Sequence, residues 1–158
     1  MKPFILFCLI VLTLPLFSNT TQRVLVTRVI DGDSIHVTNQ NKQKIIVRLW
    51  GIDAPELNQR DGAQSGRFLS TRLNGQTVQL ITKGTDQYNR TLGIIYDQNN
   101  ININQEMIEL GLAWVYRPYF NNEYPNWIQL EAEAKQNKWG LWRRKSPTPP
   151  WEFRKKNR

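Results

Sequence analysis

Asp31-Gly32-Asp33-Ser34, followed by Arg48-Leu49-Trp50-Gly51-Ile52-Asp53-Ala54-Pro55-Glu56, is the stretch on which the reading of this chain turns. A hydrophobic strand feeds each acidic turn: Arg23 to Ile30 runs into the first and Lys44 to Trp50 into the second. Such strands hold the residues at their ends on rigid supports, so the turns present carboxylate oxygens in fixed positions. Four carboxylates and an arginine gathered at two strand ends read as a metal site for phosphate chemistry rather than as scattered turn residues.

Working outward, Arg23 to Ile30 and Ser34 to Thr38 form a hairpin in which Gly32 supplies the backbone freedom of a tight reversal. Lys44 to Trp50, Thr77 to Thr82 and Leu92 to Tyr96 are further β-rich runs. Five short strands of this kind predict a small barrel. Helices are expected over Gly62 to Leu73, over Gln105 to Leu110 with Asn104 as its cap and Gly111 at its end, and over Pro125 to Lys138 before Gly140. In the last of these, Trp127, Leu130, Ala134 and Trp139 recur at near-helical spacing and read as core. The class is α+β.

A chain of 158 residues with 40% hydrophobic content suits one globular domain. Residues 1–20 have the layout of an export signal: Lys2, an apolar run from Phe4 to Phe17 interrupted by Thr13 and Pro15, then polar Ser18 to Thr21. The run is shorter than the about 20 residues of a spanning helix, so a periplasmic or secreted protein is expected, with retention by an uncleaved leader as the alternative. The domain proper is then 21–142, and 143–158 form a Pro-rich basic tail. Cys8 falls in the leader and His36 is the single histidine, lying on an alternating strand where it points away from the core. The mature chain therefore has no disulfide, no thiolate zinc site and no histidine pair for metal or phosphotransfer chemistry, which leaves oxygen ligands. Two carboxylates, a carbonyl and water suit calcium or magnesium.

The formal net charge is +8, and most of it sits in the tail, where Arg143, Arg144, Lys145, Arg154, Lys155, Lys156 and Arg158 face Glu152 alone. Such a tail raises affinity for polyanions without conferring sequence preference. Pro147, Pro149 and Pro150 make its first part extended and stiff, while Trp151 and Phe153 have two readings, stacking on bases or packing back on the domain.

Together with Asp86-Gln87-Tyr88-Asn89-Arg90 and Glu109 to Trp114, these motifs resemble the staphylococcal nuclease family from about residue 22 to Trp142. A DGDT-type turn, an R-L-x-G-I-D-x-P-E run and a D-x-Y-x-R turn occur in the family's order. The resemblance implies a five-stranded OB-fold β-barrel with three helices, and it favours calcium among the hard cations. It matches Asp33 and Asp53 to the carboxylate ligands and Ala54 to the backbone-carbonyl ligand, with Asp31 an acid near the metal but usually outside its direct ligands. It matches Glu56 to the residue that orients or deprotonates the attacking water, Arg48 and Arg90 to the phosphate-binding pair, and Tyr88 to a tyrosine beside the nucleotide.

The implied activity is calcium-dependent endonucleolytic hydrolysis of DNA and RNA by in-line water attack, with little sequence preference and 3′-phosphate products. It is implied to need no organic cofactor and to work as a monomer. The competing class is a non-catalytic OB-fold nucleic-acid-binding module. Joint retention of Asp33, Arg48, Asp53, Glu56 and Arg90 favours the enzyme. Two departures stand out: Asn89 replaces the usual glycine in a turn that favours a positive φ, and Leu57 to Ser65 differs from the lysine-rich loop of the best-known relative.

Overall fold

The computed structural model describes residues 20–119 and 123–157; the expected export leader lies outside these residues except for Thr20. Strands β1 (Thr21–Val29), β2 (Ser34–Asn39), β3 (Lys44–Leu49), β5 (Thr77–Thr85) and β6 (Thr91–Tyr96) close a barrel in the order β1-β2-β3-β6-β5. All neighbours are antiparallel except β3 and β6, which run parallel. This is the five-stranded OB-fold of the sequence reading. Alternation builds it: Val24 and Val26, Ile35 and Val37, Val47 and Leu49, and Val78 and Leu80 all point inward and are fully or nearly fully buried.

Helices α1 (Gly62–Leu73), α2 (Ile103–Glu109) and α3 (Trp127–Gln136) correspond to the three expected ones. Leu69 and Leu73 of α1, Ile103, Met107 and Ile108 of α2, and Trp127 of α3 join the barrel residues in one core. A fourth helix, α4 (Pro150–Lys156), follows the proline segment and adds to the three expected helices. Pro150 opens it at a position where proline's missing N–H is harmless and its fixed φ suits a helix. A two-stranded ladder pairs β4 (Ile52–Asp53) with β7 (Trp114–Val115), setting Asp53 opposite Trp114. Among the described residues no helix is long and apolar enough to cross a membrane.

Three local expectations are corrected. Asn104 does not cap α2: Asn102 does, accepting from the Gln105 N–H at 3.1 Å. Asn104 is fully buried; its side chain accepts from the Ile95 N–H and donates to the carbonyls of Trp50 and Gly93, tying the end of β3 to β6. Trp139 follows α3 rather than lying on it and is 49% exposed, although Trp127 and Ala134 are core as expected. Gly32 has no positive φ, and what it provides is space, because a Cβ there would lie 2.6 Å from the Ala54 Cβ and 2.7 Å from the Ser65 Cβ. Asn89 does adopt the left-handed conformation, at φ 61°.

Replacing Asn104 by leucine would leave the Trp50 carbonyl and the Ile95 N–H buried without partners and take one of two donors from the Gly93 carbonyl, and each unpartnered group costs about 1–3 kcal/mol. Urea unfolding of Asn104→Leu is expected to show a stability loss of about 3 kcal/mol or more. A loss below about 1 kcal/mol would show that these bonds do not hold the strand ends together.

Candidate active site

The barrel's first turn and the run after β3 meet because Asp33 and Arg48 belong to touching strands. The Leu49 N–H donates to the Asp33 carbonyl at 2.7 Å, and Ser34 pairs with Arg48 in the β2–β3 register. The turn is also closed internally, the Asp33 N–H donating to Asp31 Oδ1 at 2.9 Å. Asp33 then accepts from Arg48 Nη1 and Ser34 Oγ on Oδ1, and from the Ala54 N–H on Oδ2 at 2.9 Å. Arg48 Nη2 donates to Asp53 Oδ1 at 2.7 Å. One guanidinium therefore bridges the two acidic turns, and the side chains of Arg48, Asp33 and Asp53 are 12%, 5% and 0% exposed.

The electrostatics follow from that crowding. Burial opposes the charge of Arg48, but Asp33 and Asp53 outweigh it and hold the guanidinium protonated far above the ordinary arginine range. Burial, and then the charge of neighbouring Asp33, push the Asp31 carboxyl up to about 6.

Asp31, Asp33, Arg48, Ala54, Glu56, Tyr88 and Arg90 face one cleft of about 750 Å³, completed by Tyr116 and Tyr119. Tyr116 and Tyr119 pack edge to face at 4.9 Å. Asp86, which also lines the cleft, organises the β5–β6 turn: its Oδ1 accepts from the Tyr88 and Arg90 N–H groups and its Oδ2 from Arg90 Nε at 2.7 Å. Burial would raise the Asp86 pKa, but these hydrogen bonds, beginning with the Arg90 N–H, outweigh it and hold the carboxyl below its ordinary value. Tyr88 is 65% exposed, with the Arg90 guanidinium 5.5 Å from its ring, so it is a surface group of the cleft and not a packing residue.

Asp53 is the one expected site residue that does not face the cleft. It lies behind the wall with both oxygens covered, by Arg48 and by Arg154 from α4. Arg154 Nη2 donates to Asp53 Oδ2 at 2.8 Å, and Nη1 donates to Asp53 Oδ1 at 3.1 Å and to Glu56 Oε1 at 2.8 Å. Hydrogen bonding to Asp53 is the largest influence on this guanidinium, and with Glu56 it outweighs burial and keeps the group firmly charged. Sequence reasoning missed Arg154 because it stands in a basic run where no local signal separates it from its neighbours. It also passed over Asp86, although that residue opens the D-x-Y-x-R motif it had quoted.

The donor chemistry fits a hard divalent cation: Asp31, Asp33, Asp53 and the Ala54 carbonyl offer only oxygen, the donor type such ions prefer. Among the described residues no group of three or more His, Cys, Asp or Glu stands together as a preformed cage, the oxygens of Asp33 and Asp53 being taken by nitrogen donors.

A closed OB barrel carrying acidic turns and facing arginines at one cleft defines a class, and the comparisons specify it. The family described as staphylococcal nuclease homologue matches residues 46–144, and the chain belongs to that family. It is 41% identical over 129 residues to an uncharacterized endonuclease of Escherichia coli, covering 82% of each chain. It is 38% identical over 138 residues to a micrococcal nuclease of Shigella flexneri, covering 82% of this chain and 79% of that one. A staphylococcal-like nuclease of Arabidopsis thaliana, CAN1, is 34% identical over 117 residues, which are 73% of this chain and 35% of the plant protein.

The contact between the two acidic turns can be tested through Gly32. An added methyl would be driven against the Cβ atoms of Ala54 and Ser65, which no rotamer change can move. Gly32→Ala is expected to lower stability by about 1–3 kcal/mol in urea unfolding. An unchanged midpoint would show that the turns are not held in contact.

Proposed function

We propose that the protein is a calcium-dependent endonuclease that hydrolyses phosphodiester bonds of DNA and RNA by in-line attack of water, with little sequence preference. The observation that carries this reading is the convergence of Arg48, Glu56 and Arg90 on the cleft that Asp31, Asp33 and Ala54 also line. Membership of the nuclease family and likeness to a micrococcal nuclease support it.

In this reading Asp33, Asp53 and the Ala54 carbonyl hold calcium, with Asp31 beside them. When bound, the ion supplies positive charge next to the scissile phosphate. Arg48 and Arg90 approach that phosphate from different walls. Their planar forks grip its non-bridging oxygens and strengthen their hold as negative charge builds in the transition state. Asp86 fixes the reach of Arg90 by holding its Nε. Glu56 accepts a proton from the attacking water as the water oxygen bonds to phosphorus. The bond from phosphorus to the 5′ oxygen breaks, the leaving oxygen takes up a proton, and the phosphate stays on the 3′ side. Tyr88, exposed at the rim, lies beside the nucleotide. Nothing in these contacts reads a base edge, in keeping with low sequence preference.

The proposal includes export through the leader of residues 1–20, action in the periplasm or outside the cell, and function as a monomer, with the basic tail adding affinity for polyanions.

The test is turnover of single-stranded DNA, duplex DNA and RNA with calcium, with magnesium and with chelator. Calcium-dependent cleavage is expected, falling by roughly a hundredfold or more in Arg90→Ala and in Glu56→Ala. The products are expected to carry 3′-phosphates. A folded, calcium-bound protein that cleaves nothing would overturn the enzyme reading in favour of a nucleic-acid-binding module.

A further inference from the structure

The C-terminal helix is docked on the site rather than hanging free. Trp151 sets its ring edge against Trp114 at 6.2 Å, and Pro150 is buried. Gln59 latches the approach to α4: its Nε2 donates to the Thr148 carbonyl at 2.6 Å while its Oε1 accepts from the Glu56 N–H at 3.2 Å. Arg144 pairs with Asp61 at 3.0 Å. The receiving surface therefore includes the Leu57 to Ser65 loop, the segment where this chain departs from the lysine-rich loop of the family's best-known member.

Docking brings one side chain into the chemistry. Arg154 covers both oxygens of fully buried Asp53 and one oxygen of Glu56, in the two-pronged geometry that guanidinium groups make best with carboxylates. A merely structural anchor has no need of these partners, since Trp151, Thr148 and Arg144 already hold the segment by other contacts. Arg154, which itself lines the cleft, also holds Asp53 Oδ2, the oxygen to which Arg48 does not donate, so a cation drawing on that oxygen has to displace it. A guanidinium and a divalent cation drawing on one buried carboxylate repel each other strongly, so their binding is coupled unfavourably.

We propose that Arg154 is a functional residue of this site: it is the resident counter-cation of Asp53 and Glu56, competes with the divalent ion for them, and thereby sets the metal concentration at which the site becomes competent. The inference rests on the calcium reading above. In the metal-free chain Arg154 neutralises the buried carboxylate and fastens α4. Metal binding draws Arg154 off Asp53, frees Glu56 to face water, and loosens the Trp151 contact with Trp114. The guanidinium then stands at the rim of a cleft that receives a phosphodiester.

The experiment is isothermal titration of calcium into the full chain, its Arg154→Gln and Arg154→Lys variants, and Arg144→Gln, which removes a tail anchor on Asp61 without touching Asp53 or Glu56. Arg154→Gln is expected to bind calcium about tenfold tighter or more, because the competing charge is gone. Arg154→Lys, which keeps the charge but loses the fork, should fall between it and the wild type, and Arg144→Gln should shift affinity less than Arg154→Gln does. Calcium should also change tryptophan emission in the wild type, and Trp151→Phe should remove most of that change. Calcium affinity that is equal or weaker in both Arg154 variants would overturn the competition while leaving the calcium reading intact. An absence of calcium binding in every chain would overturn both.

Discussion

The guanidinium of Arg48 is the contact on which the rest of this molecule depends. It lies between Asp33 at the start of the β2 side and Asp53 on the short β4, and it is nearly enclosed together with both. Without it the buried Asp33 carboxylate would lose its cationic partner beside a second buried carboxylate held by Arg154 alone. Removing one partner from such an assembly costs about 3–5 kcal/mol, because the charges left behind cannot be rehydrated. The surrounding backbone is arranged to hold this grouping: the Leu49 N–H reaches the Asp33 carbonyl, the Ala54 N–H reaches the Asp33 carboxylate, and the Trp50 N–H reaches the Gly93 carbonyl. Glu131 adds support from behind. It is buried on α3, accepts the Val115 N–H, and is paired with Arg117 and Lys135, so it steadies the β7 strand against which Asp53 is set.

The parts legible in the sequence are those governed by local pattern. Alternation such as Val24-x-Val26 and Ile35-x-Val37 records one buried and one exposed face, and this alone gives the barrel strands. The D-x-Y-x-R turn is equally readable because Asp86 bonds to groups two and four residues ahead, and Asn89 tolerates the left-handed backbone it needs. The misreadings concern partners far away in the chain. Asn104 looks like a cap because it precedes a helical run, yet Asn102 has the backbone geometry for capping, while Asn104 faces the strand ends and bonds the Ile95 N–H and the Trp50 and Gly93 carbonyls. Gly32 looks like a turn glycine, but the constraint on it is a neighbouring turn twenty residues on. Arg154 lies about a hundred residues from the carboxylates it meets, inside a tail whose composition reads as solvated.

That tail changes what the charge distribution means. The basic residues of 143–158 read as a polyanion-binding appendage, and Lys155 and Lys156 at the end of α4 remain exposed to serve as one. Arg144 and Arg154, however, are committed to carboxylates of the domain. The segment Leu57 to Ser65, a loop that leads into the first turn of α1, is therefore a seat for the chain's own C-terminal segment through Gln59 and Asp61. It links the cleft to a helix outside the family's motifs and gives the carboxylates an internal cation in place of an external one.

The central claim is that these clustered carboxylates are built to bind a divalent cation. Thermal unfolding of the full chain and of Asp53→Asn, each in chelator and in saturating calcium, tests it most directly, because a ligand that binds only the folded state raises the midpoint, and does so further the more its concentration exceeds its dissociation constant. The account predicts that calcium raises the wild-type midpoint and leaves that of Asp53→Asn unmoved. A wild-type midpoint indifferent to calcium would contradict it.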